Sequence, residues 1–251
     1  MELIESVLLT LDVDWAPDFV IDFVAGQLIS RGVRATWFVT HLSPAIIRLR
    51  EHRELFELGV HPNFLPGSAH GDTPKAILRH CMTLLPEAIS VRTHALVQST
   101  PLIEQILTQT PIRVDVSLFL PRAPFLRPVE YQRRGRTLLR VPYYWEDDFE
   151  MERLEPWWRL APLLAIGDGL KVFDFHPIHI YLNSADLGPY RLLKSRVPRL
   201  PEATPREANA CVQKGEGAQT LFAQVIDHLA ESGGSRRIED IYRGWRDSIK
   251  E

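Results

Sequence analysis

The sequence predicts an α/β fold, a distorted (β/α) barrel of about seven strands, and three observations carry that expectation. Short β-branched runs recur along the 251-residue chain. Helical patterns separate them. Several of those helical stretches open on proline, which suits a first turn because the N–H it lacks would be unpaired there anyway. Alternating β and α elements imply parallel strands, since a parallel neighbour needs a crossover long enough to hold a helix. The alternation does not decide closure, so a barrel and a strongly curved open sheet both fit.

The strand-like runs fall at residues 7–11, 35–40, 58–61, 89–96, 114–118, 138–141 and 171–175. Helical patterns occupy 18–30, 44–52, 74–85, 101–108 and 156–165, and a last helix pair is expected near 221–230 and 238–248. Residues 187–217 are rich in Pro, Gly and charge and read as a long irregular excursion, so 184–216 is expected to form a loop or lid. No repeat, low-complexity tract or linker divides the chain, and residues 1–251 are expected to form one domain.

Composition narrows the function. With 45% apolar and 24% charged residues the chain resembles an ordinary globular protein, and its net charge of −3 with scattered basic residues argues against a nucleic-acid footprint. Cys81 and Cys211 lack any C-x-x-C spacing, which excludes a disulfide framework and a thiolate zinc site. The most apolar stretch, 157–166, is interrupted by Arg159 and Pro162 and is shorter than the roughly 20 residues of a membrane span. No basic and apolar leader opens the sequence, so a cytoplasmic location is expected.

Titratable residues gather where the predicted strands end. Asp12 and Asp14 lie two apart at the end of the first strand, on one face; if one binds a metal, the other can take a proton from the attacking water. His61 ends the third strand, with Pro62 fixing the outgoing chain, and is a candidate ligand. His70 sits in the following loop. Arg92 and His94 repeat the two-residue spacing: Arg92 could pair with Asp12, and His94 could bind metal or orient a ligand. His176 is a candidate general acid, since an imidazole can be protonated near neutral pH, especially beside Asp147 or Asp148. His179 either binds substrate or holds the loop leading to Asn183. Each signal alone also describes an ordinary capped or hydrogen-bonded residue; their shared location carries the inference.

The order of these motifs resembles the polysaccharide deacetylase (NodB-homology, carbohydrate esterase family 4) superfamily over roughly residues 7–183. Leu9-Thr-Leu-Asp-Val-Asp-Trp15 is similar to the first motif of the superfamily, which makes Asp12 the base and Asp14 a metal ligand. Ala35-Thr-Trp-Phe-Val39 resembles its second strand and Gly59-Val-His-Pro-Asn63 its metal-histidine motif. Arg92 matches the arginine that orients the base, and Phe175-His-Pro177 the late catalytic histidine. Two departures stand out. Leu65 occupies the place of the usual second histidine, and Arg92-Thr-His94-Ala95 replaces R-x-P-Y, so the third ligand is open: His94 first, Asn63 or His70 as alternatives. His61-Pro-Asn-Phe64, Val91-Arg-Thr-His94 and His176-Pro-Ile-His-Ile-Tyr-Leu-Asn183 look most similar to the WbmS-like subgroup associated with lipopolysaccharide O-antigen clusters.

The resemblance implies a hydrolase that removes an acetyl or formyl group from an amino sugar. A divalent metal, zinc before cobalt or nickel, would be held by Asp14, His61 and His94, with Asp12, Arg92 and His176 catalytic and an oxyanion held in part by the Ala95 N–H. Asn63, Asp147, Asp148 and His179 are the expected substrate contacts, and the expected partner is an acylated amino-sugar nucleotide or oligosaccharide. A catalytically decayed sugar-binding protein on the same barrel and a hydrolase of non-sugar amides are the rival expectations.

Overall fold

The computed structural model describes residues 6–249. The chain begins with β1 (Ser6–Asp12), α1 (Asp18–Arg31), β2 (Ala35–Val39), α2 (Pro44–Glu51), β3 (Phe56–Val60), α3 (Pro74–Leu84), β4 (Ser90–Val91), α4 (Thr100–Gln109) and β5 (Val114–Asp115). Three of these helices, α2, α3 and α4, open on a side-chain cap from Ser43, Thr73 or Ser99 followed by proline in the first turn. A hairpin follows, β6 (Val129–Arg133) and β7 (Arg136–Arg140), and then β8 (Trp145–Glu146), α5 (Asp147–Met151), α6 (Leu160–Leu164) and β9 (Leu170–Phe175). The remaining elements are α7 (Pro177–Leu182), α8 (Gly188–Arg196), α9 (Pro205–Asn209), α10 (Ala218–Ser232) and α11 (Ile238–Ser248).

The nine strands run in the order β6-β7-β5-β4-β3-β2-β1-β9-β8, and every pairing except β6 with β7 is parallel. β2, β3 and β9 are buried at every position, as a parallel sheet covered by helices requires. The sheet curls into a distorted barrel because one stretch, 139–146, bonds to both sides. On one side Leu139, Val141 and Tyr143 donate backbone N–H groups to Arg113, Asp115 and Leu118; on the other Tyr144 donates to Val172 and Trp145 pairs with Phe173. The count of nine exceeds the about seven expected because β7 and β8 are two strands on one continuous stretch and the β6 edge strand was not foreseen.

Several expectations are corrected. The strand expected at 89–96 stops at Val91, because His94–Leu96 form a tight turn in which Ala95 and Leu96 take φ of 51° and 53°. β1 ends at Asp12, and Asp14 and Trp15 lie in a left-handed turn at φ 42° and 57°, so the two-residue spacing of Asp12 and Asp14 is not strand alternation. About half of the 187–217 excursion is helical. Its prolines start helices instead of preventing them: Pro189 opens α8, and Pro205 opens α9 behind a Thr204–Glu207 capping box. Among the described residues no helix is long and apolar enough to cross a membrane.

The interior is layered. Register sets Thr10, Thr36 and Glu57 side by side, with Asp12, Phe38 and Gly59 in the next layer toward the strand C-termini. Gly59 is required there by space: a Cβ would stand 2.5 Å from Ser90 Oγ and 2.7 Å from the Phe38 ring. At the opposite end Glu57 accepts hydrogen bonds from Thr36 Oγ1 (2.8 Å), Ser90 Oγ (2.6 Å) and the Glu239 N–H (2.7 Å), while the Ile238 N–H donates to Thr36 Oγ1 (2.9 Å). The first turn of α11 is thereby held to the base of the barrel.

Candidate active site

The site lies at the C-terminal ends of β1, β3, β4, β8 and β9. At its floor Arg92 is almost fully buried, with its guanidinium between the rings of Phe38 (4.7 Å) and Tyr143 (4.4 Å). It donates to Asp12 Oδ1 (2.9 Å), to Thr10 Oγ1 (2.9 Å), to the Val116 carbonyl (3.2 Å) and to Asp174 Oδ1. Burial works against its charge, but Asp12 and Asp174 outweigh that and raise its pKa further. One cation cannot serve two buried carboxylates equally, and burial together with the charge of Asp12 pushes Asp174 well above the carboxylate range in spite of Arg92.

Above this floor Asp14 Oδ1 lies 3.2 Å from His61 Nε2 and 3.1 Å from His94 Nδ1, and the two imidazole nitrogens are 3.3 Å apart. Burial would raise the Asp14 carboxyl, yet hydrogen bonds and charge from His61 and His94 hold it well below its usual range. Asp12 Oδ2 stands 3.6 Å from His61 Nε2. The triangle fits a metal ion: ligand atoms about 2.0–2.1 Å from tetrahedral zinc stand about 3.3 Å from one another. Within it the buried Asp14 Oδ1 is turned toward the His61 and His94 nitrogens, a set of donor atoms that suits a cation.

The other two candidate ligands are engaged elsewhere. His70 Nε2 meets the Thr40 carbonyl at 2.8 Å, its Nδ1 accepts from the Asn63 N–H at 3.1 Å, and burial lowers its pKa to about 4. Asn63 Oδ1 accepts from the Leu65 N–H at 2.9 Å, and this residue is half-buried at the rim.

Opposite Asp12, Asp147 grips His176 twice: the His176 N–H donates to Oδ2 at 2.8 Å and Nδ1 to Oδ1 at 2.7 Å. His176 Nε2 then faces Asp14 Oδ2 at 3.6 Å. Burial alone would lower this imidazole, but Asp148, Asp147 and Asp14 raise its pKa well above the usual value. His179 is buried, with Nε2 2.9 Å from Asp148 Oδ1 and Nδ1 3.2 Å from Ser184 Oγ, so both nitrogens are committed inside the protein. Asp148 is half exposed, and although burial opposes it, His176 and His179 hold its carboxyl below the usual range.

Sequence reasoning missed Glu146 and Tyr143. Glu146 pairs with Asp174 across β8 and β9, accepts from the Tyr143 hydroxyl at 3.0 Å, and is pushed up to about 7 by burial, with His176 opposing and Asp148 reinforcing. β8 is two residues long, too short to show a period, and only its position just before Asp147 and Asp148 offered a signal.

A family model described as WbmS-like polysaccharide deacetylase matches residues 9–194. The chain belongs to the WbmS-like polysaccharide deacetylases. The crystal structure of a candidate polysaccharide deacetylase involved in O-antigen biosynthesis, WbmS from Bordetella bronchiseptica, is similar to this WbmS-like chain at 32% identity and a TM-score of 0.76, covering 90% of this chain and 91% of that one. Peptidoglycan deacetylase PdaC from Bacillus subtilis is a more distant likeness, at 13% identity and a TM-score of 0.47, covering 98% and 95% of the two chains. No curated protein matches the sequence. The expected superfamily, subgroup and barrel are thus borne out.

Proposed function

We propose that this WbmS-like chain is a metal-dependent hydrolase that removes an N-acyl group, acetyl or formyl, from an amino sugar in O-antigen or related polysaccharide biosynthesis. One observation carries the reading: the Asp14–His61–His94 triangle lies between an arginine-held carboxylate, Asp12, and a carboxylate-held imidazole, His176. That is the equipment for hydrolysing an amide: a base on one side, an acid on the other, and a cation site between.

A divalent ion bound by Asp14, His61 and His94, zinc before cobalt or nickel, would supply a Lewis acid for the acyl oxygen and the attacking water. Asp12, with Oδ1 fixed by Arg92 and Oδ2 turned toward His61, takes the proton of that water as its oxygen bonds to the acyl carbon. The Ala95 N–H, in the left-handed turn after Arg92, would share the developing negative charge. His176, held by Asp147, gives its proton to the nitrogen as the C–N bond breaks, releasing a carboxylate and the free amine. Asp148 and Asn63 at the rim are the proposed sugar contacts, with His179 anchoring Asp148.

The test is twofold. Protein purified without chelator should carry about one metal per chain, and it should release acetate or formate from acylated amino-sugar oligosaccharides or nucleotides. Metal-free protein that still binds sugar would instead favour a binding protein on the deacetylase barrel, and activity confined to non-sugar amides would move the substrate class.

A further inference from the structure

We propose that Tyr190, from α8 in the excursion, is a substrate-contacting residue whose phenol O–H donates a hydrogen bond to the sugar at the mouth of the site. The excursion then completes the site. This rests on the amino-sugar reading above.

Three observations converge on Tyr190. Its ring packs edge-on against His179 at 5.2 Å, and His179 in turn packs against His176 at 5.7 Å and bonds to Asp148. The side chain is half-buried, and its hydroxyl has no hydrogen-bond partner among the described residues. After burial, the charges of Asp14 and Asp148 raise the phenol's pKa and His176 opposes them, so the phenol stands within reach of their charges.

The segment leading to Tyr190 is fixed. Asn183 ends α7 at φ 48°, and its side chain donates to the Gln213 (3.2 Å) and Gly215 (2.9 Å) carbonyls and accepts from the Gln219 N–H (3.1 Å). Ser184 carries both the His179 contact and a backbone bond from the Ala218 N–H (2.9 Å). Gly217 passes so close that a Cβ there would lie 2.4 Å from the Asn183 carbonyl oxygen. α8 therefore leaves a pinned corner, which lowers the entropy lost when Tyr190 engages a ligand.

The experiment compares wild type with Tyr190→Phe on two probes: N-acetylglucosamine oligomers, and 4-nitrophenyl acetate, which has an acyl group and no sugar hydroxyls. Loss of one neutral hydrogen bond should raise KM for the oligomers about three- to tenfold, with kcat within about twofold, and leave the ester reaction and the metal content unchanged. An unchanged oligomer KM, or an equal loss on both probes, would overturn the role of the hydroxyl while leaving the deacetylase reading in place. Wild-type protein inert toward acetylated and formylated amino-sugar oligosaccharides and nucleotides alike but active on the ester would overturn the amino-sugar reading, and this proposal with it.

Discussion

Replacing Glu57 by Gln should flatten the pH dependence of stability between about pH 4.5 and 7. Burial raises the Glu57 carboxyl from 4.5 to about 7, against the opposing hydrogen bonds of Ser90, Glu239 and Thr36. A folded-state pKa above the unfolded one means that the native state holds the proton more tightly. The associated stability is complete below pH 4.5 and is lost as pH rises through 7. At about 1.4 kcal/mol per unit, that interval corresponds to about 3 kcal/mol, or roughly 6–12 °C in Tm for a chain of this size. Gln keeps the shape, and its amide can still serve the Thr36, Ser90 and Glu239 contacts if the Ser90 hydroxyl reverses. Glu146 is also raised to about 7, so wild type alone would not isolate Glu57; the quantity to measure is the wild-type minus variant difference in urea unfolding free energy at each pH. A gap that changes by about 3 kcal/mol across the window is expected. Parallel curves would show that Glu57 does not hold its proton at the foot of α11.

Asp14→Ala, His61→Ala and His94→Ala should each deplete metal, measured by elemental analysis, whereas His70→Ala should keep it, because both His70 nitrogens bond to backbone groups. Asp12→Asn and His176→Ala should retain metal while kcat falls by about 10²–10⁴-fold, the usual worth of a positioned base or acid; wild-type turnover in the His176 variant would remove it as the acid. Asp147→Asn should pull the basic limb of the pH–rate profile to lower pH, since a general acid works only while protonated and Asp147 helps raise the His176 pKa. Gly217→Ala should lower stability by about 1–3 kcal/mol, read by thermal unfolding, because its Cβ would meet the Asn183 carbonyl oxygen at 2.4 Å.

Legibility followed the length of the elements. Asp12, His61, Arg92 and His176 could be singled out because each stands at or just past the end of a strand or strand-like run, where a titratable side chain is unlike its apolar neighbours. His94 was found for an imperfect reason: it arrives through the turn after Arg92 and not by strand alternation. The sequence ranks His94 ahead of His70 from its place beside Arg92, but the contact that engages His70, with the Thr40 carbonyl 30 residues away, leaves no local signal. β6 was hidden because its residues are mostly exposed and carry no apolar alternation. Tyr190 was hidden inside a stretch whose prolines suggested irregular chain but open helices.

The 139–146 stretch that joins the two edges of the sheet runs directly into Asp147. Until that seam is sewn, β9 has no neighbour on its second side and His176 has no carboxylate at Nδ1. A refolding chain can therefore form its early staves, bury much of its apolar surface and still lack the Asp147–His176 pair. Recovery of turnover is a clock for the seam itself, and it should lag any optical signal that reports the β1–β3 half of the ring.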